Sequence, residues 1–146
     1  MKNLRLLDKA NLSIYYDADL SHYISEGLNP PAVTKEAFIS IFKSFPSRGF
    51  ELNGVEFGGL IFDGKEVHFA VLPDYQGKWA FLLKPALLWL FSQQKIIVVR
   101  VDVLHEKAVR LWDRVGLLRV ASDNKSVTFR FCNHPDLFFN RRLTRL

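Results

Sequence analysis

Apolar and polar positions along the chain change period several times, and each change predicts an element. Residues 4–7 and 12–16 are short apolar-rich runs that read as extended segments, and residues 17–25, with a polar start and mixed apolar spacing, read as a first helix. Asn29, Pro30 and Pro31 form a loop, because proline removes donors and pushes the preceding residue out of the helical region. Thr34 then reads as a helix N-cap, with Glu36 in the first turn and Phe38, Ile41 and Phe42 on one face, and Pro46 closes that helix. Residues 55–62 and 67–72 are rich in β-branched and aromatic side chains around Asp63-Gly64, the signature of an antiparallel hairpin. A helix is expected over about residues 80–94, beginning near Lys84 or bending there because of Pro85. The near-continuous Ile/Val run of residues 96–103 suggests a strand buried on both faces. Residues 106–115 return to helical period, with Ala108, Leu111, Trp112 and Val115 on one face and Gly116 as a C-terminal cap. Residues 117–121 and 127–131 complete a terminal hairpin. The predicted order is β-α-α-β-β-α-β-α-β-β, with an extra strand near Glu51.

Composition narrows this pattern to one globular domain over residues 1–146, with 132–146 as a basic, aromatic tail carrying Phe138, Phe139, Arg141, Arg142 and Arg145. Neither a membrane span nor a secretory signal is expected: the longest apolar stretch, residues 79–91, is broken by Lys84 and Pro85. The single cysteine, Cys132, excludes an internal disulfide framework and fits a reducing, cytoplasmic compartment. Charge is uneven. Residues 1–70 carry seven Lys/Arg against nine Asp/Glu, a net −2, whereas residues 71–146 carry thirteen against six, a net +7. Such a half attracts polyanions, coenzyme phosphates and nucleic acid alike, or is simply a solvated cationic face. No RNP, helix-turn-helix or zinc pattern supports the nucleic-acid reading. The four histidines are scattered, and no metal-ligand spacing, nucleophile triad or Walker-type loop is present.

Two motifs carry the chemistry. The first is the loop Val71-Leu72-Pro73-Asp74-Tyr75-Gln76-Gly77-Lys78, and the second is His105-x-x-Ala108-x-x-Leu111-Trp112-x-x-x-Gly116-Leu117. Together they resemble the acyl-CoA half of the GNAT superfamily of N-acetyltransferases. In that family a strand ending Val-x-Pro leads into Arg/Gln-x-x-Gly-x-Gly/Ala. Val71, Pro73, Gln76 and Gly77 match, Lys78 adds a charge, and Trp79 stands where glycine is usual. Without a gap Phe81 takes the second small position; in a loop one residue shorter, the preferred register, Ala80 takes it. The second motif resembles Asn-x-x-Ala-x-x-Phe/Leu-Tyr-x-x-x-Gly-Phe, with His105 for the asparagine, Trp112 for the tyrosine and Leu117 for the phenylalanine.

The resemblance implies an α/β (mixed α+β) fold, a central mixed sheet of six to seven strands with about four helices, and transfer of an acetyl group from acetyl-CoA to an amine. It implies that Val71, Leu72, Gln76, Gly77, Lys78, Trp79 and Ala80, with His105, Ala108 and Trp112, bind the cofactor. The pyrophosphate would rest on backbone N–H groups at a helix start. The pantetheine would lie between strands ending at Val71 and Val103. Indole does not exchange protons near neutral pH, so Trp112 is no general acid, and loss of that acid costs roughly 100- to 10,000-fold unless another group substitutes. His105 is the nearest substitute, or simply a helix cap. Glu66, His68 and Glu56 are the candidate bases, or surface groups. The acceptor is an amine on a small molecule or a protein, selected in this family by regions corresponding to residues 17–46 and 117–131. A second reading is a GNAT-like binding or assembly protein without catalysis, its protein partner held by the tail. Small GNAT-like chains also occur in phage genomes, some as head-assembly or virion-associated proteins.

Overall fold

A computed structural model describes residues 3–25, 27, 29, 30, 32–115 and 117–131. It contains β1 (Leu4–Leu7), α1 (Leu12–Ser25), α2 (Lys35–Phe42), β2 (Ser47–Leu52), β3 (Val55–Phe62), β4 (Val67–Val71), α3 (Leu83–Gln93), β5 (Ile97–Asp102), α4 (Glu106–Val115), β6 (Leu118–Ser122) and β7 (Ser126–Phe131). Among the described residues the seven strands and four α-helices follow the expected order, include the extra strand at Glu51, and form a sheet β1-β2-β3-β4 and a sheet β5-β7-β6. The chain divides into two compact units. One runs through Asp63 and resumes over His68–Ala86, and the other comprises Gly64–Val67 and the chain from Leu87 onward. No described helix is long and apolar enough to cross a membrane. The expected tail and Cys132 lie outside the described residues, as does Gly116.

In the first unit β2 pairs antiparallel with both β1 and β3, and its register shifts by a bulge between Phe50 and Glu51. Phe50, Phe57, Leu60 and Ile61 are fully buried there. Gly58 admits the neighbouring strand closely, since a Cβ at that position would sit 2.2 Å from the Ala70 carbonyl oxygen. Gly64, at φ +97°, supplies the left-handed conformation that the turn between β3 and β4 requires.

Residues 12–16 are helical rather than extended. Asn11 Oδ1 accepts from the backbone N–H of Ser13 (3.1 Å) and Ile14 (3.2 Å), which caps α1 five residues upstream of the expected start. Leu12, Tyr15 and Ala18 then recur at a spacing of three on the buried face, so capping and packing override the β-propensity of Ile14, Tyr15 and Tyr16. The expected cap of α2 is present, Thr34 Oγ1 accepting from Ala37 N–H at 3.2 Å. That helix ends at Phe42, before Pro46.

In the second unit β5 pairs antiparallel with β7, and Glu66 forms an isolated parallel bridge with Val98. The expectation of a strand buried on both faces does not hold. Ile97, Val99 and Val101 are buried while Arg100 and Asp102 are exposed, the alternation of a one-sided antiparallel sheet. Trp112, Phe129 and Phe131 join the same core, with the Trp112 and Phe131 rings edge to face at 5.5 Å.

Candidate active site

The loop after β4 lies in the first unit and is more tightly wound than a plain strand-to-helix turn. Residues Pro73–Tyr75 and Trp79–Leu82 each form a 3-10 turn, and α3 begins only at Leu83. The helix expected from residue 80 thus starts three residues later, with Pro85 in its first turn, where its missing N–H costs no intrahelical bond. Backbone bonds already engage much of the loop: Leu72 N–H donates to Phe57 O (2.8 Å), Tyr75 to Leu72 O (2.9 Å), Gln76 to Pro73 O (3.3 Å) and Lys78 to Tyr75 O (3.0 Å). The Gln76 side chain folds back, its Nε2 donating to Val71 O at 3.2 Å.

Side chains around this loop separate into inner and outer sets. Trp79, 9% exposed, points into the core, stacked on Phe50 at 5.8 Å and tilted against Phe69 at 5.3 Å. Val71 is also buried. Gln76, Gly77 and Lys78 are exposed, Ala80 is half-buried, and Lys78 Nζ lies 5.4 Å from the centroid of the Tyr75 ring. Gly77 has neither a positive φ nor a crowded Cβ position, since a methyl placed there would have nothing within 4 Å. Among the described residues no hydrogen bond uses its N–H.

The candidate bases lie about the β3–β4 hairpin. His68 Nε2 is 3.1 Å from Asp63 Oδ2, with both groups partly exposed. Glu66 Oε2 is 3.3 Å from Arg100 Nη2 in the second unit. Glu56 Oε2 accepts from Asn11 Nδ2 at 2.6 Å, which ties it to the start of α1. Glu56 and Glu66 are thus held by structural partners, whereas His68 has a carboxylate placed to orient its ring.

The second motif lies in the second unit. His105 is half-buried just before α4: its N–H donates to Asp102 O (2.9 Å) and its carbonyl accepts from Val109 (3.2 Å), so its backbone starts the helix. Ala108 is half-buried, and Trp112, 2% exposed, is a core residue.

The resemblance pointed to residues 17–46 as an acceptor region without naming a residue there; the structure has, in the first unit between α1 and α2, a cavity of about 360 Å³ lined by Tyr16, Asp19, Leu20, Val33, Phe38, Ile41 and Phe42. Phe38 stacks on Tyr15 (5.7 Å), tilts against Tyr16 (5.6 Å) and meets Phe42 (4.7 Å), building one aromatic wall. Burial pushes the Asp19 carboxyl above the usual range, while His22 and His68 pull it part of the way back. Asp19 lies on the helix face one turn beyond Tyr15 and Tyr16, a signal hidden once residues 12–16 are read as extended.

No protein-family model matches the chain, and no curated protein matches it. Solved structures do. A spermidine N-acetyltransferase chimera from Vibrio cholerae and hSSAT is 17% identical, with 96% of this chain and 99% of that one covered at a TM-score of 0.65. The Vibrio cholerae spermidine N-acetyltransferase in complex with CoA and spermine is 18% identical, with 88% and 92% covered at 0.58. A GNAT-family acetyltransferase from Streptococcus pneumoniae is 12% identical, with 88% and 98% covered at 0.60. Nearly whole chains superimpose, so the likeness extends well past the two motifs. This chain has the fold of the GNAT acetyltransferases.

Proposed function

We propose that this protein is a GNAT-type N-acyltransferase, taking an acetyl group from acetyl-CoA and passing it to an amine that attacks directly. The observation that carries the reading is the loop at residues 71–80. Its one large departure from the family pattern, Trp79, is turned into the core, which leaves an outer face of Gln76, Gly77 and Lys78. A glycine with an unused N–H and open space at its Cβ, beside a lysine, fits a pyrophosphate, which needs donors without bulk. Bound there, acetyl-CoA supplies a thioester activated toward amines. Among the chain's own residues, His68, oriented by Asp63, accepts the proton of the acceptor ammonium. His105 is the proposed proton source for the departing sulfur, a role that the indole of Trp112 does not fill. The presence of CoA in one of the similar structures supports the cofactor.

One observation favours the alternative, a GNAT-fold binding or assembly protein without catalysis: Trp112 is fully packed where enzymes of this kind carry a tyrosine acid. Calorimetric titration with acetyl-CoA, with Gly77→Glu as control, separates the readings. We expect saturable binding tighter than millimolar, abolished by the added carboxylate. Absence of binding at millimolar acetyl-CoA overturns the transferase.

A further inference from the structure

We propose that the cavity between α1 and α2 binds a monoamine with an apolar body, its ammonium paired with Asp19 and its hydrocarbon lying against the aromatic wall of Phe38 and Phe42. Its use as the acyl acceptor rests on the transferase reading, but the binding itself does not.

Size comes first. A volume of about 360 Å³ falls at the small end of ligand pockets, roughly 300–1,000 Å³, and suits a small molecule rather than a polypeptide segment. Charge comes second. Among the described residues Asp19 is the one carboxylate lining the cavity, and no hydrogen bond or ion pair engages it. Its neighbour Asp17 is already matched by Lys35 at 2.8 Å, with the same Nζ standing 5.9 Å from the centroid of the Tyr16 ring. A half-buried carboxylate facing aromatic rings is costly when unpaired, and a ligand ammonium removes that cost while gaining cation–π attraction from the wall.

Polar satisfaction sets the number of charges. The Tyr16 hydroxyl donates to Val33 O at 2.7 Å and is used in tying α1 to the segment before α2. The remaining described lining is Leu20, Val33, Ile41 and the phenylalanines. Among the described residues a second ammonium in the same ligand would meet only apolar side chains and lose its hydration without a partner. The cavity therefore selects against polyamines, although similar structures include a spermidine N-acetyltransferase. Ile41, 54% exposed, and Val33, 39% exposed, form an apolar rim that extends the contact for a hydrocarbon body.

The test is calorimetry at neutral pH on the full chain with three probes: 2-phenylethylamine, its neutral analogue 2-phenylethanol, and spermidine. We expect the amine to bind at least about tenfold tighter than the alcohol, as for a charge-assisted pair. Spermidine should bind no tighter than phenylethylamine. In Asp19→Asn, shown folded by its circular dichroism and cooperative unfolding, the preference for the amine should vanish while alcohol binding persists. Ile41→Lys, a change on the exposed rim, should weaken the amine by charge repulsion. Equal affinity for amine and alcohol, tighter binding of spermidine, or a preference surviving in Asp19→Asn overturns the proposal. Thiol release from acetyl-CoA in the presence of phenylethylamine reports separately on transfer. Binding of the amine without thiol release upholds the cavity and counts against the transferase alone. Release with spermidine but not phenylethylamine overturns the monoamine assignment and leaves the transferase standing.

Discussion

Trp79→Ala should destabilise the protein severely, and Gly77→Ala two residues earlier should not. Trp79 is 9% exposed and lies between Phe50 and Phe69. An indole buries about 150–250 Å², which at about 25 cal/mol/Å² is worth roughly 4–6 kcal/mol against an extended chain. A compact unfolded state and the methyl retained by alanine reduce this, while the cavity left behind adds to it, giving a loss of about 3–5 kcal/mol. That is a large share of the roughly 5–15 kcal/mol available to a domain. With a urea slope of about 1–3 kcal/mol per molar, the unfolding midpoint should fall by about 2 M. At Gly77 a methyl meets nothing within 4 Å and φ is not positive, so alanine there should be neutral or stabilising by up to about 1 kcal/mol. Urea unfolding followed by far-ultraviolet circular dichroism measures both. A loss below about 1 kcal/mol at Trp79 would mean that its ring is not a core element, and the separation of the loop into inner and outer faces would fail. If Trp79→Ala is costly and Gly77→Ala harmless, any loss of acetyl-CoA binding in the glycine variant reports on cofactor approach and not on folding.

Two further outcomes follow from single residues. The folded Asp19 carboxyl titrates above its unfolded range because burial disfavours the charged form, so its contribution to stability is greatest at acid pH and is lost as pH rises through its folded pKa. Asp19→Asn should therefore be more stable than the parent at neutral pH, with the gap closing toward acid pH. Urea midpoints across that range that stay parallel would contradict the desolvation of Asp19. Asn11→Ala removes the cap of α1 and the partner of Glu56 and should cost about 1 kcal/mol or more, measured the same way. No change would mean that α1 starts without help from Asn11.

Much of the fold was legible because its signals are local. Thr34 with an acidic first turn, Asp63-Gly64 between two β-rich runs, and the helical period of residues 106–115 all depend on neighbours a few residues away, and all three appear as expected. What was not legible depends on tertiary context. Residues 12–16 have strand-like propensity, and the Asn11 cap together with the buried face shared by Leu12, Tyr15 and Ala18 makes them a helix. The burial of β5 on one face could not be read from its Ile/Val run, because apolar composition states what a strand tolerates and not what covers it. The Asp19 cavity was legible only as a region, residues 17–46: it is built by two helices packed together, and no local signal states which side chains of α1 and α2 meet.

The two tryptophans show why spacing and chemistry have to be argued separately. Both stand at positions where the GNAT motifs that this chain resembles usually carry something else, and both are departures from those motifs. In the structure Trp79 packs on Phe50 and Phe69, and Trp112 packs on Phe131. A glycine-to-tryptophan change in a phosphate-binding loop obstructs only when the side chain faces the ligand; turned inward, it adds apolar contact beneath the loop and leaves Gln76, Gly77 and Lys78 outside. Trp112 differs, because what its position usually supplies is an exchangeable proton, and no inward packing replaces that. The first substitution is thus compatible with cofactor binding, while under the transferase reading the second requires an acid from elsewhere. If transfer occurs, His105→Gln should lower the rate of thiol release at saturating acetyl-CoA while leaving acetyl-CoA affinity within about threefold, the kinetic split expected when a proton donor rather than a binding contact is removed. An unchanged rate would remove His105 from that role.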